Sequence, residues 1–201
     1  MVVGVAKVKG EGFAIIVLTK NGAGRLRELA ELVARLNRPC LVVDSESEDG
    51  CAELAEALGL QVARVAAKDF DHGGTRAGAV RAVRGWGGGV EGIVFLTQDS
   101  SPHAAEDVER LVTAIMVEGV GAAYGRQLPR PGAGPFEAHG RLFNYPDRSE
   151  VRSMEDAKRL GIKACFFSDS FAAYRLEALE EVGGFPERAI VGEDVIVAAK
   201  L

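Results

Sequence analysis

Phe13-Ala14-Ile15-Ile16-Val17-Leu18-Thr19 is an unbroken apolar run closed by a hydroxyl. Nothing polar alternates through it, so it suits a strand buried on both faces, as in a parallel sheet. Beyond Asn21-Gly22, Leu26, Leu29, Leu32, Val33 and Leu36 recur at helical spacing. Pro39 ends that helix, and Cys40-Leu41-Val42-Val43 makes a second apolar strand closing on Asp44. The alternation then continues, with a short helix over 52–58, a strand over 62–65, a helix from Thr75 through Val83 and a Gly87-Gly88-Gly89 turn. Gly92-Ile93-Val94-Phe95-Leu96-Thr97 reads as a central strand, 104–117 as helix and 121–124 as strand. Strands alternating with helices indicate an α/β domain with a mostly parallel central sheet flanked by helices. Between Gly125 and Pro146 the character changes to Arg, Pro and Gly with isolated aromatics, which predicts a functional loop or lid. Strand, helix and turn return from Phe166 to Leu201.

The chain has 201 residues, a size that fits one domain around a sizeable core. Its net charge of −5 argues against a nucleic-acid partner, which calls for a basic surface. No apolar run reaches the length of a membrane span; the opening Met1-Val2-Val3-Gly4 is short and soon broken by Lys7 and Lys9. Cys40, Cys51 and Cys165 are scattered, with no metal spacing, and read as reduced thiols of a cytoplasmic protein.

Ligands of open α/β sheets bind beyond the carboxyl ends of the strands. Three polar groups fall there: Thr19-Lys20-Asn21, then Asp44-Ser45-Glu46-Ser47-Glu48-Asp49, and Gln98-Asp99-Ser100. Together they outline a polar cleft. A carboxylate such as Asp99 at the end of a buried strand needs a counter-charge. A divalent cation on diphosphate oxygens would supply it; capping of the following helix is the other reading. In Phe70-Asp71-His72-Gly73-Gly74-Thr75-Arg76 the glycines permit close backbone approach and the helix amides attract phosphate. Arg76 could pair with a phosphate or base in a forked geometry, and His72 could position a ligand; an ordinary turn and N-cap is the alternative. Gly183-Gly184-Phe185-Pro186 fixes a tight turn before Gly192-Glu193-Asp194, which places an acidic pair at a helix start. A positioned, ionised carboxylate there is what a general base requires, although an acidic first turn would look the same.

These residues, in this order, resemble the family 2 glycosyltransferases of the GT-A fold, and most closely the bacterial rhamnosyltransferases acting on polysaccharides. The resemblance runs from Phe13 to the last residue. It rests on Asp44-Ser45-x-Ser47-x-Asp49-Gly50, the His72–Arg76 string, Phe95–Asp99, Tyr124-Gly125-Arg126-Gln127-Leu128-Pro129, Phe143-Asn144-Tyr145-Pro146, Gly184-Phe185-Pro186 and Glu193-Asp194. It implies a nucleotide-sugar-binding half over about 13–100 and an acceptor-side half over about 101–201. Thr19, Asp44, Ser47, His72, Gly73, Gly74, Arg76, Gln98 and Asp99 would bind the nucleotide sugar, with Asp44 on the nucleobase and Arg76 helping to hold the nucleotide. Asp99 would be the metal ligand for Mg²⁺ or Mn²⁺, the surviving carboxylate of an Asp-x-Asp motif whose first position here is Thr97. Asp194 would be the catalytic base with Glu193 beside it, and Arg126, Gln127 and Tyr145 would lie on the acceptor side.

The implied reaction is an inverting transfer of L-rhamnose from dTDP-β-L-rhamnose to a glycan or lipid-linked acceptor. The implied place is the cytoplasm, with room for contact at the inner membrane's cytoplasmic face. Relatives of this kind continue past the acidic pair, whereas this chain stops one or two turns beyond it. The acceptor-side half is therefore expected to be truncated, and an apolar face so exposed could drive homo-oligomerisation. A UDP or GDP sugar as donor, a sugar-nucleotide-binding module without turnover, and a nucleotidyltransferase remain the alternatives.

Overall fold

The computed structural model describes residues 12–87 and 89–201. The apolar opening at Met1–Gly4 and Gly88 of the glycine turn lie outside the described residues. Six strands form one mixed sheet in the order β3-β2-β1-β4-β6-β5. They are β1 (Gly12–Thr19), β2 (Cys40–Asp44), β3 (Gln61–Arg64), β4 (Val90–Thr97), β5 (Ala122–Tyr124) and β6 (Phe171–Arg175). The helices are α1 (Ala23–Leu36), α2 (Cys51–Ala57), α3 (His72–Arg84), α4 (Ala105–Ile115), α5 (Pro135–Asn144), α6 (Ala157–Leu160), α7 (Leu176–Glu181) and α8 (Glu193–Ala198).

β1 is flanked on both sides by parallel strands, β2 and β4. Its successive side chains divide between two cores, because side chains alternate across a sheet. Phe13, Ile15 and Val17 pack with the apolar stripes of α1 and α4, including Leu26, Leu29, Val108 and Ile115. Ala14 and Ile16 pack on the other face with Ala77, Val83, Phe95, Tyr174 and Phe185. An unbroken apolar strand is what two covered faces demand.

The parallel register aligns Thr19 with Asp44 and Leu18 with Thr97, so β1, β2 and β4 deliver their polar ends to one edge. β6 runs antiparallel to β4, pairing Leu96 with Phe171. Its beginning, and not its end, therefore lies at that edge, and the Thr97 amide donates to the Ser170 carbonyl at 3.0 Å. This reversal brings Asp169 to the polar rim.

The stretch 125–146, read as loop, contains a helix, α5. Pro135 stands at its first turn, where the missing N–H is one no helix would use and φ is already helical. The loop expectation followed composition, and the nucleating proline was the overlooked signal.

The Gly-Phe-Pro turn docks on the start of α3. The Gly73 amide donates to the Ala189 carbonyl at 3.1 Å, and a Cβ added at Gly73 would overlap the Pro186 carbonyl oxygen. Because that obstacle is backbone, it cannot rotate aside. Gly73→Ala is expected to lower stability by about 1–3 kcal/mol, read as a fall in urea midpoint at unchanged m-value. An unaltered midpoint would show that the turn yields freely.

Candidate active site

The loops following β1, β2 and β4 are tied together side chain to backbone. Gln98 Oε1 accepts from the Thr19 hydroxyl at 3.0 Å and from the Lys20 amide at 2.5 Å. The Asn21 amide donates to Ser47 Oγ at 2.8 Å, and Asn21 Oδ1 accepts from the Glu48 amide at 2.8 Å. Asp49 takes the Ala23 amide on one carboxylate oxygen and the Cys51 amide on the other. Asn21 and Glu46 hold φ of 54° and 57°, the left-handed region that non-glycine residues seldom adopt. Such backbone persists only where its surroundings over-determine it, and it clusters at functional sites. Gly22 is required here: a Cβ would run into Thr19 Oγ1 and Gln98 Oε1.

Asp44 is buried at this edge. Its Oδ2 accepts from the Ser47 amide at 3.0 Å, while Oδ1, also buried, has no partner among the described residues. Buried acceptors are as a rule hydrogen-bonded, so this oxygen is an acceptor with its capacity unused. Asp99 is exposed, and the Thr97 hydroxyl donates to its Oδ1 at 2.5 Å. It does not cap α4, whose N-cap is Ala104; the amides of His103 and Ala104, just before the helix, donate to Asp107 Oδ2.

Arg76 stands elsewhere than the sequence suggested. Its guanidinium is 5% exposed and lies between two buried carboxylates, with Nε 2.9 Å from Asp169 Oδ2 and Nη1 2.8 Å from Glu193 Oε1. The first contact is an ion pair off the N–H direction, so neither Nε nor Asp169 Oδ2 has a hydrogen bond along it. Nη1 also reaches the His72 carbonyl at 3.3 Å and the His72 ring at 3.4 Å. A fork spent on two carboxylates is not free for a phosphate. The glycines diverge from expectation in the same way. The Gly73 amide is taken by Ala189, the Gly74 amide by Asp71 Oδ1 at 2.6 Å and the Thr75 amide by the Asp71 carbonyl. The close approach that Gly73 permits is to Pro186 and leaves those amides no phosphate to bind.

Asp169 escaped the sequence reading altogether. Only its position before a strand that runs backwards brings it here, and strand direction is not written in local sequence. The Tyr174 hydroxyl donates to its Oδ1 at 2.5 Å. Burial pushes its carboxyl up to about 7, against the opposing pull of Arg76 and Tyr174, and Asp194 and Glu193 add to the rise. Glu193, expected beside the base, is a buried partner of Arg76; Asp194 is partly exposed at the first turn of α8, its Oδ1 accepting from the Val195 amide at 2.8 Å.

The acceptor-side residues part company. Arg126 and Tyr145 border a cleft of about 550 Å³ beside β5, with Tyr124, Arg148, Arg152 and Phe166. Arg126 Nε donates to the Tyr145 carbonyl at 3.1 Å. The Tyr145 ring is buried edge-on against Tyr124 and Phe166, so it builds the wall and offers no open face. Gln127 turns away, donating to Ser168 Oγ at 2.7 Å and accepting from Arg141.

Comparison with known proteins agrees with this fold. The sequence profile described as Glycosyl transferase family 2 matches residues 14–183. The chain is 41% identical over 162 residues to the O-antigen chain rhamnosyltransferase RfbN of Salmonella typhimurium, covering 80% of this chain and 50% of that protein. It is 36% identical over 193 residues to the O-antigen chain rhamnosyltransferase WbaN of Salmonella anatum, covering 94% and 60%. The chain thus spans only half to three-fifths of the length of these relatives. Glucosyl-3-phosphoglycerate synthase from Mycobacterium tuberculosis, solved with uridine diphosphate, superposes with a TM-score of 0.62 at 15% identity, covering 94% of this chain and 64% of that one. Mannosyl-3-phosphoglycerate synthase from Rubrobacter xylanophilus gives 0.58 at 15% identity, covering 84% and 55%. At such identity the likeness is one of fold, GT-A.

The raised carboxyl of Asp169 has a consequence for stability. Its unfolded value is 3.8 and its folded value about 7, so between these pH values the folded state holds the extra proton. Stability from this group is present below pH 4 and is lost as pH rises through 7. Asp169→Asn, which keeps an acceptor for Tyr174 and never ionises, should lose less stability between pH 5 and pH 8.5 than the parent does. Parallel melting temperatures for both proteins across that window would refute it.

Proposed function

The chain belongs to glycosyl transferase family 2, and on that premise we propose that it moves L-rhamnose from dTDP-β-L-rhamnose to a glycan or lipid-linked acceptor. The reaction belongs to cell-surface polysaccharide assembly, in the cytoplasm or at the cytoplasmic face of the membrane. The sugar assignment is supported by two relatives named as rhamnosyltransferases at 41% and 36% identity. No helix among the described residues is long and apolar enough to cross a membrane. The observation that carries the reading is the convergence of two chemistries on one sheet edge. Asp44, Ser47 and Asp99 come from parallel strands, and Asp194 is brought to the same rim by the contacts Glu193–Arg76–Asp169.

In this reading residues 13–100 bind the donor and 101–201 face the acceptor. The unpartnered Asp44 Oδ1 accepts a nucleobase N–H. Asp99 fits a hard divalent cation: it is an exposed oxygen donor, and Mg²⁺ is commonly held by one or two carboxylates plus substrate phosphates. Among the described residues no group of three or more His, Cys, Asp or Glu could hold a metal by itself, so diphosphate and water would complete the shell. When bound, Mg²⁺ or Mn²⁺ would neutralise charge on the departing diphosphate. Asp194 takes the proton of the acceptor hydroxyl while that oxygen bonds to the anomeric carbon and the bond to diphosphate breaks on the opposite face. Its place in the first turn of α8 leaves it partly exposed, where an acceptor hydroxyl can approach. Arg126 stands at the mouth of the β5 cleft, within reach of an acceptor glycan.

Thermal-shift titration with dTDP, UDP and GDP sugars, with and without Mg²⁺, tests the donor site. A ligand that binds only the folded state raises its melting temperature. dTDP-rhamnose should give the largest rise, and no rise with any nucleotide would overturn the assignment. Asp194→Asn should cut kcat by about 10²–10⁴-fold, the usual worth of a general base, with donor affinity unchanged. Asp99→Asn should weaken donor binding in Mg²⁺ and leave binding in EDTA unaltered.

A further inference from the structure

We propose that Arg76 is a positioning residue, a buried latch on the base-bearing helix, and takes no part in holding the nucleotide. This deepens the transfer reading and rests on it for the role of Asp194.

α8 has six residues, too few to be stable by propensity. Its N-cap is Gly192, in the left-handed conformation and without a side-chain cap. The residues leading into it, Ile190 and Val191, are 78% and 83% exposed, so packing does not hold the approach. Within the helix Glu193 and Val197 are buried, one in each turn. Val197 secures the second turn in the core; the first turn, which carries Asp194, is secured by the Glu193–Arg76 pair.

Arg76 is fitted for that task. It projects from the second turn of α3, a helix capped by Asp71 and pressed at its start against the Pro186–Ala189 turn. Its far side is anchored by Asp169, which Tyr174 fixes in turn, and its guanidinium lies 5.8 Å from the Phe95 ring centre in the core. Being planar and forked, it can engage two carboxylates at once, whereas a lysine presents a point charge. Three segments distant in sequence are thus pinned at one point, and Asp194 is the next residue along from it.

Arg76→Lys and Glu193→Gln decide the matter. Glu193→Gln leaves Arg76 paired with Asp169, so it tests the latch even where Arg76→Lys folds poorly. Both should speed amide hydrogen exchange in α8 at least tenfold more than in β1 and β4. Both should lower kcat at least tenfold, with the dTDP dissociation constant and the donor KM held within twofold. Loss of dTDP affinity with α8 exchange unchanged would overturn the latch and make Arg76 a nucleotide ligand. Unchanged exchange and unchanged kcat would overturn it as well. If the parent transfers no sugar from any donor, the proposed function fails, while the exchange comparison still decides the latch.

Discussion

A buried arginine held between two buried carboxylates organises the acidic half of this site. Removing charges from water costs several kcal/mol per ion, and the loss is recovered only through close, mutual contact. Arg76, Asp169 and Glu193 meet that condition at 2.8–2.9 Å. Breaking one partner of such a set commonly costs about 3–5 kcal/mol, because the remainder is left charged and dry. The set carries one positive and two acidic groups; burial, above all, pushes the Asp169 carboxyl up to about 7, and the nearby Asp194 and Glu193 add to the rise. A well-packed apolar trio could fill the same space at comparable stability. What such a trio would lack is a directional hold on the first turn of α8.

The sheet makes that contact feasible. Parallel strands carry Thr19, Asp44 and Thr97 to one edge by their ends, and the single reversal at β6 carries Asp169 there by its beginning. Gly73 completes the arrangement by letting α3 and the Gly-Phe-Pro turn meet backbone to backbone. Both glycine-containing motifs thereby find one explanation, since one supplies the gap and the other the chain that enters it. The wall of the cleft beside β5 is built differently. Around Tyr145 the contacts are aromatic edges, and most arginines of 126–159 are engaged with carboxylates or carbonyls of the same segment.

Much of this was legible in the residue order. Two-sided burial makes β1 and β4 continuous apolar runs, and that pattern alone indicates a parallel sheet with helices on both faces. Pairing of strand ends at one edge follows, so Asp44, Ser47, Gln98 and Asp99 could be gathered without coordinates. α5 was missed because a composition rich in Arg, Pro and Gly outweighed one helix-starting proline. Gly73 and Gly74 were correctly read as sites of close approach, with the wrong visitor.

By itself, then, the sequence determined the sheet, the polar edge and the acidic pair, because periodicity and turn chemistry are local properties that residue order records. The tertiary structure alone decided what Arg76 contacts. A guanidinium near a helix start is equally suited to phosphate and to carboxylate, and the choice depends on what the fold brings within 3 Å. Asp169 was invisible for the same reason: its place follows from a strand direction that only pairing with β4 reveals.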